Sequence, residues 1–324
     1  MKKLRWGVLG TGNIVGKGGP ALHRSENGEW LGVAGRTIEN SRKAADTYGV
    51  PRAYAGYREL LDDPEIDAVY IALLNHVHKE WALEAIKAGK HVLMEKPFAL
   101  NTADAEEIIG LAKRHGVRVE EAFIWRTMEG HQYAKEAIRG GMIGEPVFFR
   151  GSFSFQAAQT STRLNEAWGG GTLYDVGCYL VSWSRFQFGE EPEFADSRMY
   201  RADGKGVDVR FAGTLLFPSG GTAHMTAALD MPYSCVYQIL GTKGELEVKQ
   251  SANAQSVTLE VTVNGESKSF TTDRVAPFCL QAERFAAYAL EGDLATDSEQ
   301  SILAQARAMD ALFRSDKERA RIKL

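Results

Sequence analysis

Two short stretches of this chain carry side chains able to move a proton. Glu95-Lys96-Pro97 ends the apolar run His91-Val92-Leu93-Met94. The second stretch runs Gly169-Gly170-Gly171-Thr172-Leu173-Tyr174-Asp175-Val176-Gly177-Cys178-Tyr179. Its glycines are expected to let the backbone pass close to a ligand, and the helix that follows would put Asp175 and Tyr179 at i and i+4, on one face. An ammonium, a carboxylate and a phenol make an acid/base set. In it Tyr179 would exchange the proton on a reacting oxygen, Lys96 would polarise that oxygen and lower the tyrosine pKa, and Asp175 would orient substrate hydroxyls.

The start of the chain supplies a partner for that set. Gly10-Thr11-Gly12-Asn13-Ile14-Val15 lies between a strand and a helix and has two of the three glycines of a dinucleotide turn. Gly10 would permit the tight turn, and Gly12 would let the backbone approach a pyrophosphate on the helix N-terminus. The third position is Val15, whose side chain is expected to push helix and strand slightly apart. At the end of the second strand, Gly35-Arg36-Thr37 offers no carboxylate for a ribose hydroxyl. A guanidinium there can stack on adenine and pair with a 2′-phosphate, with the Thr37 hydroxyl adding a donor, so NADP is favoured and NAD remains possible. Thr37 as the N-cap of the next helix is the alternative.

The elements that hold these residues fall into two patterns. Trp6 to Leu9, Trp30 to Ala34, Ala68 to Ala72, His91 to Met94 and Val117 to Glu120 read as strands too apolar to have a wet face. Between them lie helical stretches at 38–48, 76–88 and 102–115, closed by Gly49, Gly89 and Gly116. This predicts an α/β Rossmann domain, a doubly wound parallel sheet, over residues 1–122, with Lys96 beyond the carboxyl end of a strand. From residue 123 the period changes to two. Val147 to Gln156, Val207 to Phe217, Ala223 to Leu229, Cys235 to Leu240 and Val257 to Val263 alternate, the last before an Asn264-Gly265 turn. A second, α+β domain over 123–324 is expected, with a large, mainly antiparallel open sheet. Helices at 171–188 and 278–290 would cover one face, and the last helix, 298–313, could pack on either domain. The other face, with Ala212, Thr214 and Leu216, suits a subunit contact, so a homodimer or dimer of dimers through this sheet is expected.

Composition excludes several classes. The net charge of -4, with scattered Lys and Arg, argues against a nucleic-acid surface. No apolar run approaches the ~18 residues of a membrane span, and the run at 6–9 is too short for a signal-peptide core, so a cytoplasmic protein is expected. Cys178, Cys235 and Cys279 are odd in number and lack metal-ligand spacing. His76 and His78, at i and i+2 without partners, make a poor chelate, so no metal is expected.

Taken together, these motifs resemble the Gfo/Idh/MocA family of NAD(P)-dependent sugar and polyol oxidoreductases. The resemblance rests on Gly10 to Ile14, Asn75 and His78, Glu95-Lys96-Pro97, Glu121-Ala122-Phe123 with Arg126, and the 169–179 block. Tyr179, where many members carry His, is similar to the branch containing glucose-fructose oxidoreductase, NADP-dependent xylose dehydrogenase and dimeric dihydrodiol dehydrogenase. The resemblance implies a cofactor held by Gly10, Thr11, Gly12, Asn13, Ile14, Arg36, Thr37, Leu73, Asn75, His78, Glu95 and Lys96. It also implies Lys96, Asp175 and Tyr179 as catalytic residues and a sugar, polyol or diol as substrate. Trp125, Arg126, Arg163 and Trp168 are candidates for the pocket wall; the alternative makes the tryptophans core residues and the arginines solvated ones. The chain departs from the family at Leu73-Leu74, where Thr-Pro is usual, at Val15, and at Thr127-Met128-Glu129, where Phe-His-Pro is frequent. Two other functions stay open: a nucleotide-binding sensor without catalysis, and a redox-assisted lyase or glycosidase with tightly bound NAD.

Overall fold

The computed structural model describes residues 3–204, 206–253, 255–292 and 298–324. The chain divides into two compact units. The first comprises Met1–Ala99, Ala103–Thr127 and Asp273–Leu303, and the second Leu100–Thr102, Met128–Thr272 and Ala304–Leu324.

The first unit holds a six-stranded parallel sheet: β1 (Leu4–Leu9), β2 (Gly28–Ala34), β3 (Arg52–Tyr54), β4 (Ala68–Ile71), β5 (His91–Met94) and β6 (Val119–Glu121), in the order β3-β2-β1-β4-β5-β6. The order reverses between β1 and β4, and ligands of such sheets bind beyond the strand ends at that reversal. β3 escapes the sequence reading because Arg52-Ala53-Tyr54 is short and half-buried, with no apolar run. The helices are α1 (Val15–Arg24), α2 (Ile38–Tyr48), α3 (Tyr57–Asp62), α4 (His78–Lys87) and α5 (Thr102–His115). Gly49, Gly89 and Gly116 take the left-handed conformation at or just beyond the ends of α2, α4 and α5.

The second unit is built on a nine-stranded, mixed and mainly antiparallel sheet. Its strands are β7 (Pro146–Gln156), β8 (Phe194–Arg201), β9 (Asp208–Leu216), β10 (Thr222–Ala228), β11 (Asp230–Gly241), β12 (Glu245–Ala252), β13 (Ser256–Val263), β14 (Glu266–Asp273) and β15 (Ile322–Lys323). β7 and β10 are parallel neighbours at its centre. Asn264 and Gly265 both have positive φ, which joins β13 to β14 by a tight hairpin. One face is covered by α6 (Glu129–Arg139) and α7 (Cys178–Phe188), close enough that a Cβ on Gly130 would meet Leu259 and one on Gly151 would meet Leu180, each at 2.8 Å. The other face forms a broad concavity of about 960 Å³, lined by Arg150, Ser152, Arg198, Ala212, Thr214, Leu216, His224, Gln238 and Glu247 among others.

The reading that the helix at 278–290 covers this sheet is corrected. That helix, α8 (Ala276–Glu291), belongs to the first unit, where Ala282, Phe285 and Ala286 are buried in one core with Trp6, Leu22 and Trp30. The Phe285 ring lies 5.3 Å from that of Trp6. Its apolar face matches the small residues of α1 better than its position in the sequence indicates. The last helix, α9 (Glu299–Glu318), belongs from Ala304 onward to the second unit, where a Cβ on Gly213 of β9 would meet Leu312 at 3.2 Å.

Candidate active site

In the first unit the glycine turn has a division of labour. Gly10 has φ +118°, and a Cβ there would collide with the carbonyl of Ala72 at the end of β4. Gly12 faces open space, with no atom within 4 Å of where a Cβ would lie, and Thr11, Gly12 and Asn13 are exposed beside the half-buried Ile14. This is a cradle that a side chain would fill, at the entrance to α1, and it fits a pyrophosphate. Val15 is buried in the core. The close helix–sheet approach is made instead by Gly18, whose Cβ would lie 2.8 Å from the Tyr70 ring, and by Gly19, whose Cβ would strike Trp30.

At the end of β2, Arg36 and Thr37 are exposed. The Thr37 Oγ1 accepts from the Asn40 backbone N–H at 3.3 Å and its hydroxyl is hydrogen-bonded to the Glu39 carboxylate, so this residue is the N-cap of α2. Leu73 and Asn75 lie half-buried after β4. His78 is fully buried, with Nδ1 2.9 Å from the carbonyl of Pro97 and Nε2 3.2 Å from that of Leu73. Burial pushes its pKa down, and a neutral imidazole ties the two segments together, donating to one carbonyl at a time.

Glu95 and Lys96 follow β5. The Tyr70 hydroxyl donates to the Glu95 carboxylate. Desolvation raises the Glu95 pKa, while the Tyr70 bond and the Lys96 charge pull it back. Lys96 thus follows a carboxyl group that the Tyr70 hydroxyl anchors. Trp125 and Arg126 sit in a short 3-10 turn after β6, both buried, with the guanidinium 4.8 Å from the indole centroid and its Nη2 donating to Ser301 Oγ at 3.2 Å. The solvated alternative for Arg126 is thus corrected: stacking and a hydroxyl partner hold it inside.

In the second unit, Asp175 and Tyr179 stand at a junction that sequence spacing alone does not reveal. Leu173–Gly177 forms a π-helical turn that runs directly into α7, and such turns recur at functional sites. Arg163 donates from Nε to the Asp175 carboxylate at 2.6 Å and stacks over Phe155. The Tyr179 ring is set between Phe153, 5.6 Å away, and Trp183, 5.7 Å away, both steeply inclined to it. Trp168 lies in a 3-10 turn and is 40% exposed. Tyr174 donates its hydroxyl to the carbonyl of Leu100 at 2.6 Å, four residues past Lys96 in the chain.

The three glycines at 169–171 were expected to make room for a ligand, and here the reading is corrected. Gly169 has φ +73° and ends the 3-10 turn, a Cβ on Gly170 would collide with the Arg163 carbonyl, and Gly171, at φ +125°, leaves no room for a Cβ beside the Asp208 carboxylate. They fit the chain to itself, around the segment that carries Arg163. Sequence reasoning missed Tyr70, Phe153, Trp183 and Asp208. Tyr70, Phe153 and Trp183 look like core aromatics in a string of apolar residues, and Asp208 looks like an ordinary acid at a strand start.

Comparison with known proteins supplies the remaining context. A family model described as an oxidoreductase family with an NAD-binding Rossmann fold, GFO_IDH_MocA, matches residues 4–123, and one for the GFO/IDH/MocA C-terminal domain matches 131–247. An uncharacterised oxidoreductase, ORF334, of Rhizobium meliloti is 34% identical, covering 97% of each chain. A D-xylose 1-dehydrogenase (NADP(+)) of Haloferax volcanii is 30% identical, over 99% of this chain and 100% of that one. The crystal structure of KijD10, a 3-ketoreductase from Actinomadura kijaniata in complex with NADP and TDP-benzene, superposes with a TM-score of 0.89 at 26% identity, over 97% of this chain and 98% of the other.

Proposed function

Because the chain belongs to the Gfo/Idh/MocA family of NAD(P)-dependent oxidoreductases, we propose that it transfers a hydride between NADP and a carbinol or carbonyl carbon of a sugar, polyol or diol. When bound, the nicotinamide donates or accepts that hydride at C4. The residues to hold the cofactor are Gly10 to Ile14 at the entrance to α1, Arg36 and Thr37 at the 2′-phosphate, Leu73 and Asn75 after β4, and Glu95 with Lys96. His78, sealed from solvent, serves from within, its single N–H held by the carbonyl of Pro97 or of Leu73. The preference for NADP over NAD draws on the exposed Arg36 and on the missing carboxylate at the end of β2, and the xylose dehydrogenase and ketoreductase relatives are named with NADP.

Tyr179 takes the proton from the substrate hydroxyl during oxidation and returns it during reduction. Lys96 stabilises the negative charge on the reacting oxygen and on the phenolate, which otherwise forms only near pH ~10. Asp175, held by Arg163, accepts from a neighbouring substrate hydroxyl. The observation that carries this reading lies within the first unit: the glycine turn leaves exposed, open space at Gly12, at the entrance to α1, where a pyrophosphate can lie. An intact acid/base set argues against a sensor, which has no use for one. We propose the cytoplasm as its compartment, in keeping with three cysteines present as thiols, and a dimer through the concave sheet face as its assembly.

The test is a spectrophotometric screen of D-xylose, other aldoses, inositols and diols with NADP and with NAD. Turnover with at least one, faster with NADP, is expected. No turnover with any of them, together with nucleotide binding, would favour the sensor.

A further inference from the structure

The segment that bears Asp175 and Tyr179 begins at a buried carboxylate on another element. Asp208 opens β9 and is 3% exposed. Its Oδ2 accepts from the backbone N–H of Leu173, the first residue of the π-helical turn, at 2.8 Å, and its main-chain carbonyl accepts from the Thr172 hydroxyl at 2.8 Å. Gly171, just before, has φ +125°, and no side chain fits there because the Asp208 carboxylate occupies that space. A strand residue thus caps a helix start in trans, where N-caps are ordinarily local. The charged groups that act on the carboxylate are Arg201, at the end of the adjacent strand β8, and Asp316 on α9, which are themselves ion-paired at 2.8 Å.

Resting on the role proposed for Asp175 and Tyr179, we infer that Asp208 is a positioning residue for the reaction: its carboxylate fixes the first turn of the segment from which both side chains project. Desolvation, only partly offset by the Leu173 N–H and Arg201, raises its pKa to about 6, so it is an anion at neutral pH and loses its charge just below. An anionic acceptor holds an N–H more firmly than a neutral one. Turnover should therefore fall as pH drops through about 6. The stability sign is opposite: a carboxyl whose folded pKa lies above its unfolded value destabilises the fold when ionised, and stability rises as pH falls from about 6 towards the unfolded value near ~3.9.

These opposed signs separate positioning from simple scaffolding. Asp208→Asn keeps the shape and an oxygen acceptor but stays neutral. With the screen's best substrate and saturating NADP, its kcat should be about fivefold below wild type at neutral pH and lack the step near pH 6, while KM for NADP and the thermal midpoint at neutral pH do not fall. Amide hydrogen exchange across 171–177, which needs no turnover, should quicken in the variant. Wild-type kcat with the step retained, exchange unchanged, or a thermal loss that accounts for all the lost activity would each overturn the inference. Failure of the catalytic reading itself is distinguishable, because it would appear as wild-type turnover in Tyr179→Phe while the exchange difference at Asp208→Asn persisted.

Discussion

Arg163 donates from Nε to the Asp175 carboxylate at 2.6 Å while its guanidinium carbon lies 5.6 Å from the centre of the Phe155 ring, so one arginine is fixed by a carboxylate and an aromatic face at once. The arginine is 47% exposed and the aspartate 13%, so the pair lies at the surface and not in a sealed core.

Arg163→Ala should therefore cost substrate recognition more than stability. Solvent screening limits the pair itself to about 1 kcal/mol or less in folding. A loosened Asp175 should raise substrate KM about five- to tenfold, with NADP affinity unchanged. Steady-state kinetics with each substrate varied in turn read this out, and an unchanged KM removes Arg163 from the substrate side.

Two glycine substitutions in the first unit should part company. Gly18→Ala puts a methyl 2.8 Å from the Tyr70 ring and should cost about 1–3 kcal/mol of stability by overpacking. Gly12→Ala meets open space, so its thermal midpoint should stay near wild type while NADP binding weakens. Calorimetry and nucleotide titration of both variants check the pair. Equal NADP affinity in Gly12→Ala and wild type would contradict the cradle.

Cofactor choice is predicted to rest on Arg36. Arg36→Asp removes a charge-assisted contact contributing ~1.5–3 kcal/mol and adds repulsion, so the NADP-over-NAD ratio in kcat/KM should drop at least tenfold. A wild type that already prefers NAD, or an unchanged ratio, refutes the assignment.

Much of this arrangement was legible before any coordinates. Strand β5 and helices α2 and α5 fall on their expected boundaries, because apolar runs and terminal glycines are local signals. What local signals could not carry is tertiary. Phe285 reads as any apolar helix residue until it meets Trp6, so α8 was placed on the wrong sheet. Strand β14, with Lys268 and Glu266 exposed, has no buried face to betray it. Asp175 and Tyr179 are candidates by type and spacing, but the π-helical turn that holds Asp175 and the cap from Asp208 are invisible to spacing, the cap coming from a residue more than thirty positions away.

Self-association is expected through the concave face of the second sheet. Ala212, Thr214 and Leu216 all line it, mixed with Arg150, Arg198 and Glu247, a surface suited to a partner with matching charge. Light scattering at micromolar concentration should give at least a dimer, and Ala212→Glu should dissociate it. A monomeric wild type contradicts the assignment.

The central claim is that Tyr179 moves the proton. Tyr179→Phe keeps the ring between Phe153 and Trp183 and removes only the hydroxyl, and Lys96→Met removes only the charge. The most direct measurement is kcat of Tyr179→Phe at saturating NADP and substrate, on protein whose NADP affinity is unaltered. A fall of about 10²–10⁴ is predicted, the range of general acid–base catalysis, with Lys96→Met also slowed and its pH profile moved upward. Near wild-type turnover in Tyr179→Phe would contradict the account and make Lys96 the acid/base, and wild-type turnover in both variants would remove the mechanism.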